Sequence, residues 1–159
     1  MRLSNRKKQG LYEFIPTLLI VIFIGGIVAF ILERKRFHIL GTEEYLLLII
    51  PTLLLWIFYV RGRQIFEYDS DGEALNFKNR NVLPFLGKVA SDEFPKYKFI
   101  KYEVFNMLIF KRLYVTISSK KSHSVVLRYD ISYLSASEIR DLKISLGKVM
   151  KANKEKNIG

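Results

Sequence analysis

Two long apolar runs occupy most of the first 60 residues. The chain has 19 consecutive uncharged residues from Phe14 to Leu32 and 16 more from Tyr45 to Val60. A helix needs about 20 predominantly apolar residues to cross the hydrocarbon core of a bilayer. Trp56 and the tyrosines of the second run suit the two membrane interfaces. The pattern predicts a transmembrane hairpin at residues 10–61, with spans at about 10–32 and 43–61.

Each run has an alternative interpretation. The basic start at Arg6, Lys7 and Lys8 would also fit a signal peptide, but the apolar region is long and no small-residue cleavage site follows it. The second run could be a buried core helix. So long an uncharged stretch would be unusual in a small soluble domain, which favours the two-span interpretation.

Strict alternation of apolar and polar residues begins after residue 61. The stretches QIFEYDS and EALNFKN flank Asp71 and Gly72, a dipeptide that is typical of tight hairpin turns. KFIKYEVF, RLYVTISS and SVVLRY alternate in the same way, and Leu113, Val115 and Ile117 are expected to point inward. These patterns predict an antiparallel sheet of at least five half-buried strands.

The last segment has the spacing of an amphipathic helix. Ser135 and Glu138 have the spacing of a capping box at its start. The apolar positions that recur at helical spacing are Ile139, Leu142, Leu146, Val149 and Met150. Such a helix needs an apolar surface to cover, and the sheet supplies one. The chain therefore divides into a basic flank (1–9), the hairpin, a mainly β, α+β domain (62–152) and a basic tail (153–159).

The stretch KRLYVTISSKKSHSVVLRYDISYLSASEIRDLKISL reads as strand, turn, strand, an IS-x-L step and an E-I-R-x-L helix. With the two spans, it resembles small bacterial membrane proteins that carry a bacterial PH-like domain. The resemblance implies a PH-like antiparallel barrel or curved sheet closed by the C-terminal amphipathic helix. It also implies a bacterial cytoplasmic (inner) membrane protein that serves as a tethered binding or assembly module. The first hairpin loop departs from phosphoinositide-reading PH domains, because it is acidic at Asp69, Asp71 and Glu73.

The distribution of positive charge predicts the orientation of the hairpin. The formal net charge of the chain is +11. Four Lys or Arg residues precede the first span and four follow the second within the counting window, whereas the connecting loop has three. Because cytoplasmic segments carry the excess of Lys and Arg, both termini are expected in the cytoplasm.

The sequence contains no recognisable constellation for catalysis or metal binding. Cysteine is absent, and the two histidines, His38 and His123, fall on opposite sides of the predicted membrane. No nucleophile elbow and no phosphate-binding glycine loop occurs. We expect no catalytic, cofactor-binding or metal-binding residues and no small-molecule substrate. The scattered basic residues also argue against a nucleic-acid partner.

Two apolar connectors are the candidate contact sites. In VFNMLIFKR, the residues Met107, Leu108, Ile109 and Phe110 run without alternation and are followed by Lys111 and Arg112. The stretch NVLPFLGKV supplies weaker candidates, Leu83, Phe85 and Leu86. Exposed apolar clusters mark partner or membrane contacts, whereas inward-folded ones would plug the ends of a small barrel. In the first span, Gly25 and Ala29, with Gly26 adjacent, have the small-xxx-small spacing of close helix packing. Ordinary use of glycine in a lipid-facing helix is the alternative.

Two functions follow as hypotheses. In the first, the chain is a non-enzymatic accessory or assembly subunit that binds another membrane-complex protein at the cytoplasmic surface. In the second, it is a sensor of anionic lipid that binds headgroups through its basic and apolar loops.

Overall fold

The computed structural model describes residues 1–83, 87–119 and 123–158, which form two compact units. The helical hairpin is Gly10–Arg61. The second unit combines Met1–Gln9 with the chain from Gly62 onward, and we call it the β domain. The candidate residues Phe85 and Leu86 lie outside the described residues.

The hairpin has two helices joined by short helical turns. Its elements are α1 (Gln9–Leu32), a π-helical turn (Glu33–Phe37), a 3-10 turn (Gly41–Tyr45) and α2 (Leu46–Val60). With the helical turns that adjoin them, the two helices form the continuous segments Arg6–Phe37 and Gly41–Val60, which are long and apolar enough to cross a membrane, as predicted. Only 6% and 11% of their most apolar windows are buried within the chain. Their apolar side chains are therefore left for another apolar medium to cover.

The close approach of α1 to α2 occurs at Gly26. A Cβ atom there would overlap the backbone oxygen of Leu47 and lie 3.0 Å from Cγ of Pro51. At Gly25 the space within 4 Å is open, and Ala29 is partly buried. The tight contact expected at Gly25 thus falls on its neighbour, because one residue turns an α-helical position by about 100°.

The β domain has two antiparallel sheets and one long helix. The first sheet has the order β1 (Arg2–Ser4), β2 (Ile65–Asp69), β3 (Ala74–Arg80), β4 (Ala90–Pro95). The second has the order β5 (Phe99–Asn106), β6 (Lys111–Ser119), β7 (His123–Asp130). The helix α3 (Ala136–Ile158) follows. This arrangement confirms the α+β expectation.

The core of the β domain joins both sheets to α3. Phe77 lies at its centre, with its ring centroid 4.8 Å from that of Tyr129 and 5.0 Å from that of Tyr68. Leu142 and Leu146 of α3 are fully buried in the same cluster. The capping box is confirmed, because the Ser135 N–H donates to Oε2 of Glu138 at 2.6 Å and the Glu138 N–H donates to Oγ of Ser135 at 3.3 Å.

Three sequence expectations need correction. The described strands form two sheets that do not pair with each other, so they do not close into a barrel. Residues 1–9 are not merely a flank, because β1 pairs with β2 and buries Leu3 in the core. Residues 153–158 are not a separate tail, because α3 continues to Ile158 and Asn153 bonds to the backbone oxygens of Lys96 and Phe99.

Candidate functional site

Both connections to the hairpin leave the β domain at one end, which we call the junction end. There the chain passes from β1 into α1, and it returns from α2 into β2. Asn5 links the two connections, because its Nδ2 donates to the backbone oxygen of Gln64 at 2.7 Å and its Oδ1 accepts from the Phe66 N–H at 2.9 Å. The two chain segments are thus fixed to each other by a buried side chain.

A buried Asn–Asp pair extends this polar network. The Asp130 N–H donates to Oδ1 of Asn79 at 2.8 Å. Nδ2 of Asn79 donates to the backbone oxygens of Ile65 (3.0 Å) and Asp130 (3.1 Å). Because buried amide groups are costly unless they are hydrogen-bonded, this network favours one arrangement of β2, β3 and β7 at the junction end.

Gly62 and Arg63 contact the carboxylate of Asp130. The Arg63 N–H donates to Oδ2 of Asp130 at 3.2 Å. Gly62 has φ +77°, and a Cβ atom there would lie 2.5 Å from Oδ2 of Asp130. Gln64 completes the junction, since its Nε2 donates to the Gly62 oxygen and its Oε1 accepts from the Val82 N–H. Residues 62–64, which we call the joint, are therefore held against the β domain, and the backbone at Gly62 favours glycine.

Asp130 connects this joint to the β5–β6 turn. Nε of Arg112 lies 3.4 Å from Oδ1 of Asp130, and the Arg112 guanidinium carbon lies 4.3 Å from the centroid of the Phe110 ring. The Ile131 N–H donates to the Lys111 oxygen at 2.9 Å. The turn of residues 107–110 therefore projects from the junction end, beyond the last residues of β7.

The turn of residues 107–110 carries exposed apolar side chains at this end. Asn106 pairs with Lys111, and the Met107 N–H donates to the Phe110 oxygen at 2.9 Å. Leu108 at the tip is fully exposed, Met107 is 50% exposed, and Ile109 and Phe110 are partly buried. Leu108 therefore does not plug the core. The turn explains the lost alternation, because its residues lie outside the pleat of the strands.

The junction end is strongly basic. The ranges 5–9, 62–64, 80–83, 87–89, 106–112 and 130–138 contain eight Lys or Arg and two acidic residues. Both acidic residues face a cation: Asp130 faces Arg112, and Glu138 lies 3.7 Å from Nζ of Lys8. Burial raises the pKa of Glu138, but hydrogen bonds from Ser135 and the charge of Lys8 outweigh it and lower the pKa overall. Glu138 thus remains an anion that Lys8 neutralises.

The structure divides the sequence candidates into two kinds. Met107, Leu108 and Lys111 are available at the surface to different degrees, whereas Arg112 is engaged by Asp130 and Phe110. Leu83, the described member of the weaker connector, is partly buried at the same end. Asn5, Asn79 and Asp130 were not expected, because isolated polar residues give no sequence signal for burial.

Comparisons with protein-family models, curated proteins and solved structures find no match to this chain.

Proposed function

We propose that this chain is a non-enzymatic protein of the bacterial cytoplasmic membrane, in which the hairpin tethers a PH-like binding module at the cytoplasmic surface. The module docks on anionic headgroups through its junction end and presents its other surfaces to a protein partner. It serves as an accessory or assembly subunit of a membrane complex. Four- and three-stranded antiparallel sheets with a C-terminal helix on their core support the PH-like assignment.

The observation that carries the docking proposal is the exposed turn of residues 107–110 at the end where both connections leave the domain. Burying a leucine side chain stabilises by about 1.5–3 kcal/mol, and Leu108 is fully exposed. Each Lys or Arg near an anionic surface contributes about 1 kcal/mol. An exposed apolar tip at a basic end of the domain therefore fits a headgroup layer better than it fits bulk water.

Basic residues outside the buried network supply the electrostatic part of this contact. Lys7 and Lys88 are exposed at the junction end. Arg112 is a positioning residue, because it holds Phe110 and Asp130 together. Anionic lipid is favoured over an acidic protein here because short connections join both sides of this end to helices that could cross the bilayer.

A reporter fused after Gly159 is expected to have a cytoplasmic phenotype. β1 pairs with β2, so residues 1–9 and the chain from Gly62 onward must share one side of the membrane. The excess of Lys and Arg at the junction end selects the cytoplasm. The measurement compares alkaline phosphatase and green fluorescent protein fusions at this position. Periplasmic phosphatase activity would overturn the orientation.

A probe at the turn is expected to enter the headgroup region. The chain lacks cysteine, so Leu108→Cys in the full chain gives one labelling site for an environment-sensitive fluorophore. In nanodiscs with anionic lipid, doxyl-labelled lipids should quench this probe strongly, and added salt should reduce the quenching because it screens the basic residues.

The matched control for the turn probe is Tyr97→Cys, since Tyr97 is also exposed but follows β4 at the opposite end of the domain. Its probe should be quenched little. Replacing Lys7 and Lys88 by Gln should weaken quenching at Leu108→Cys and leave the fold intact. Equal quenching at the two positions, or none at Leu108→Cys, would overturn lipid docking.

A further inference from the structure

A groove lies at the end of the β domain opposite the junction. It has a volume of about 550 Å³ and is lined by Lys96, Tyr97, Lys148, Asn153 and Lys156, among others. The 3-10 turn Lys96–Lys98 forms one side, and the C-terminal half of α3 forms the other. We call it the far-end groove. Neither the apolar turn nor the buried polar network contributes to it.

Hydrogen bonds link the two sides of the far-end groove and fix their relative position. Nδ2 of Asn153 donates to the backbone oxygens of Lys96 (2.6 Å) and Phe99 (2.8 Å). The Lys96 N–H donates to the Glu73 oxygen at 2.9 Å, which attaches the 3-10 turn to the β2–β3 turn. A ligand would therefore meet a preformed surface, which lowers the entropic cost of binding.

The chemistry of the groove fits an extended acidic ligand. Lys96, Lys148 and Lys156 line it, and of the described lining residues Glu73 alone is acidic. Lys148 and Lys156 are eight positions apart on α3, a separation of about 12 Å along the helix. Tyr97 is 73% exposed beside them. Separated cations around an exposed aromatic ring suit a chain with several carboxylates and an apolar side chain.

The position of the groove argues against a membrane lipid as this ligand. β3 runs from the far end to the junction end over 7 residues, which at about 3.4 Å per residue separates the two ends by roughly 20 Å. The field of a headgroup layer at the junction end decays over about 8 Å at physiological ionic strength. The far-end lysines are therefore directed to a ligand in solution.

We propose that the far-end groove binds an acidic, aromatic-containing peptide segment of a partner protein. The inference deepens the proposed function, since it rests on the module being tethered with its junction end toward the bilayer. Lys96, Lys148 and Lys156 attract the carboxylates, and Tyr97 packs against the apolar side chain. Lipid docking and partner binding then use opposite ends of one domain, so both contacts form at once.

The test uses the full chain in nanodiscs of zwitterionic lipid and the fluorescein-labelled heptapeptide EDEFEDE. The peptide is expected to bind at low ionic strength, and the charge-reversed peptide KRKFKRK should not bind. Lys148→Glu with Lys156→Glu should weaken binding of EDEFEDE by about tenfold or more, because like charges then face each other. Lys151→Glu with Lys154→Glu is the matched control, since both lysines are exposed on α3 but do not line the groove. This pair should change binding by less than about twofold.

Each other outcome overturns the assignment. If the unsubstituted chain does not bind the peptide, the groove is not a site for it. If both lysine-pair variants lose affinity equally, the binding is only non-specific charge attraction. Tighter binding of decathymidylate, lost with the same groove pair, would make the groove a nucleic-acid site. Quenching of the Leu108→Cys probe in anionic nanodiscs separates the two proposals. It should persist in the groove variant, and its absence in every variant would count against docking alone.

Discussion

Replacing Leu142 and Leu146 together by Ala is expected to unfold the β domain. Both side chains are fully buried in the cluster that contains Phe77. A buried Leu→Ala substitution costs about 2–5 kcal/mol, whereas a small domain is stable by about 5–15 kcal/mol. The two sites are one helical turn apart, so their costs will not be strictly additive. Hydrogen exchange of the β3 and β6 amides in the full chain should show the loss.

The matched control for the leucine pair is Ile144→Ala. Ile144 lies between the two leucines on α3 but is 52% exposed, so it should change the free energy of unfolding by less than about 1 kcal/mol. Unchanged exchange in the double variant would mean that α3 does not hold the two sheets together. Each single variant should lose less stability than the double variant. Comparing them would show whether Leu142 and Leu146 stabilise the core cooperatively.

Gly62→Ala is also expected to destabilise the β domain strongly. The left-handed backbone at φ +77° costs an alanine about 1–3 kcal/mol. Overlap of the new Cβ atom with the Asp130 carboxylate adds about 1–3 kcal/mol. The Arg63 amide should exchange faster in the variant, because its acceptor is Oδ2 of Asp130. Protection of that amide is the direct measurement.

Gly72→Ala separates the two causes. Gly72 has φ +75° and open space around the position of a Cβ atom, so its substitution carries only the backbone strain. The difference between the two variants therefore measures the steric conflict with Asp130. If Gly62→Ala and Gly72→Ala cost the same, the carboxylate moves aside freely and the joint is not rigid.

The elements in which buried positions recur periodically could be predicted, and they make up most of the fold. The strands β2, β3, β5, β6 and β7 and the helix α3 correspond to the alternating and helical patterns of the sequence. β4 gives no such signal, because ASDEFP contains two acidic residues and a proline and buries Phe94 as its main core side chain. β1 has three residues and a partner more than 60 residues away, so no local pattern identifies it.

The site was predictable only in its apolar part. A run of four large apolar residues without alternation indicates a connector, and residues 107–110 do form the β5–β6 turn. That Leu108 is exposed depends on the length and direction of β5 and β6, which the sequence does not specify. Asn79 and Asp130 bond to each other across 51 positions, a pairing that a single sequence cannot reveal.

The insertion of the hairpin between β1 and β2 has a consequence for biogenesis. Ribosomes add about 5–20 residues per second. Because about 60 residues separate β1 from β2, several seconds pass between the synthesis of the two strands. If the hairpin crosses the membrane as proposed and only one of its two helices inserts, β1 and β2 end on opposite faces of the bilayer. The sheet then lacks its first strand, β2 becomes an open edge, and Leu3 leaves a gap in the core. In the proposed topology, a complete sheet therefore requires that both helices insert, and a mis-inserted chain exposes a strand edge that can pair with another chain.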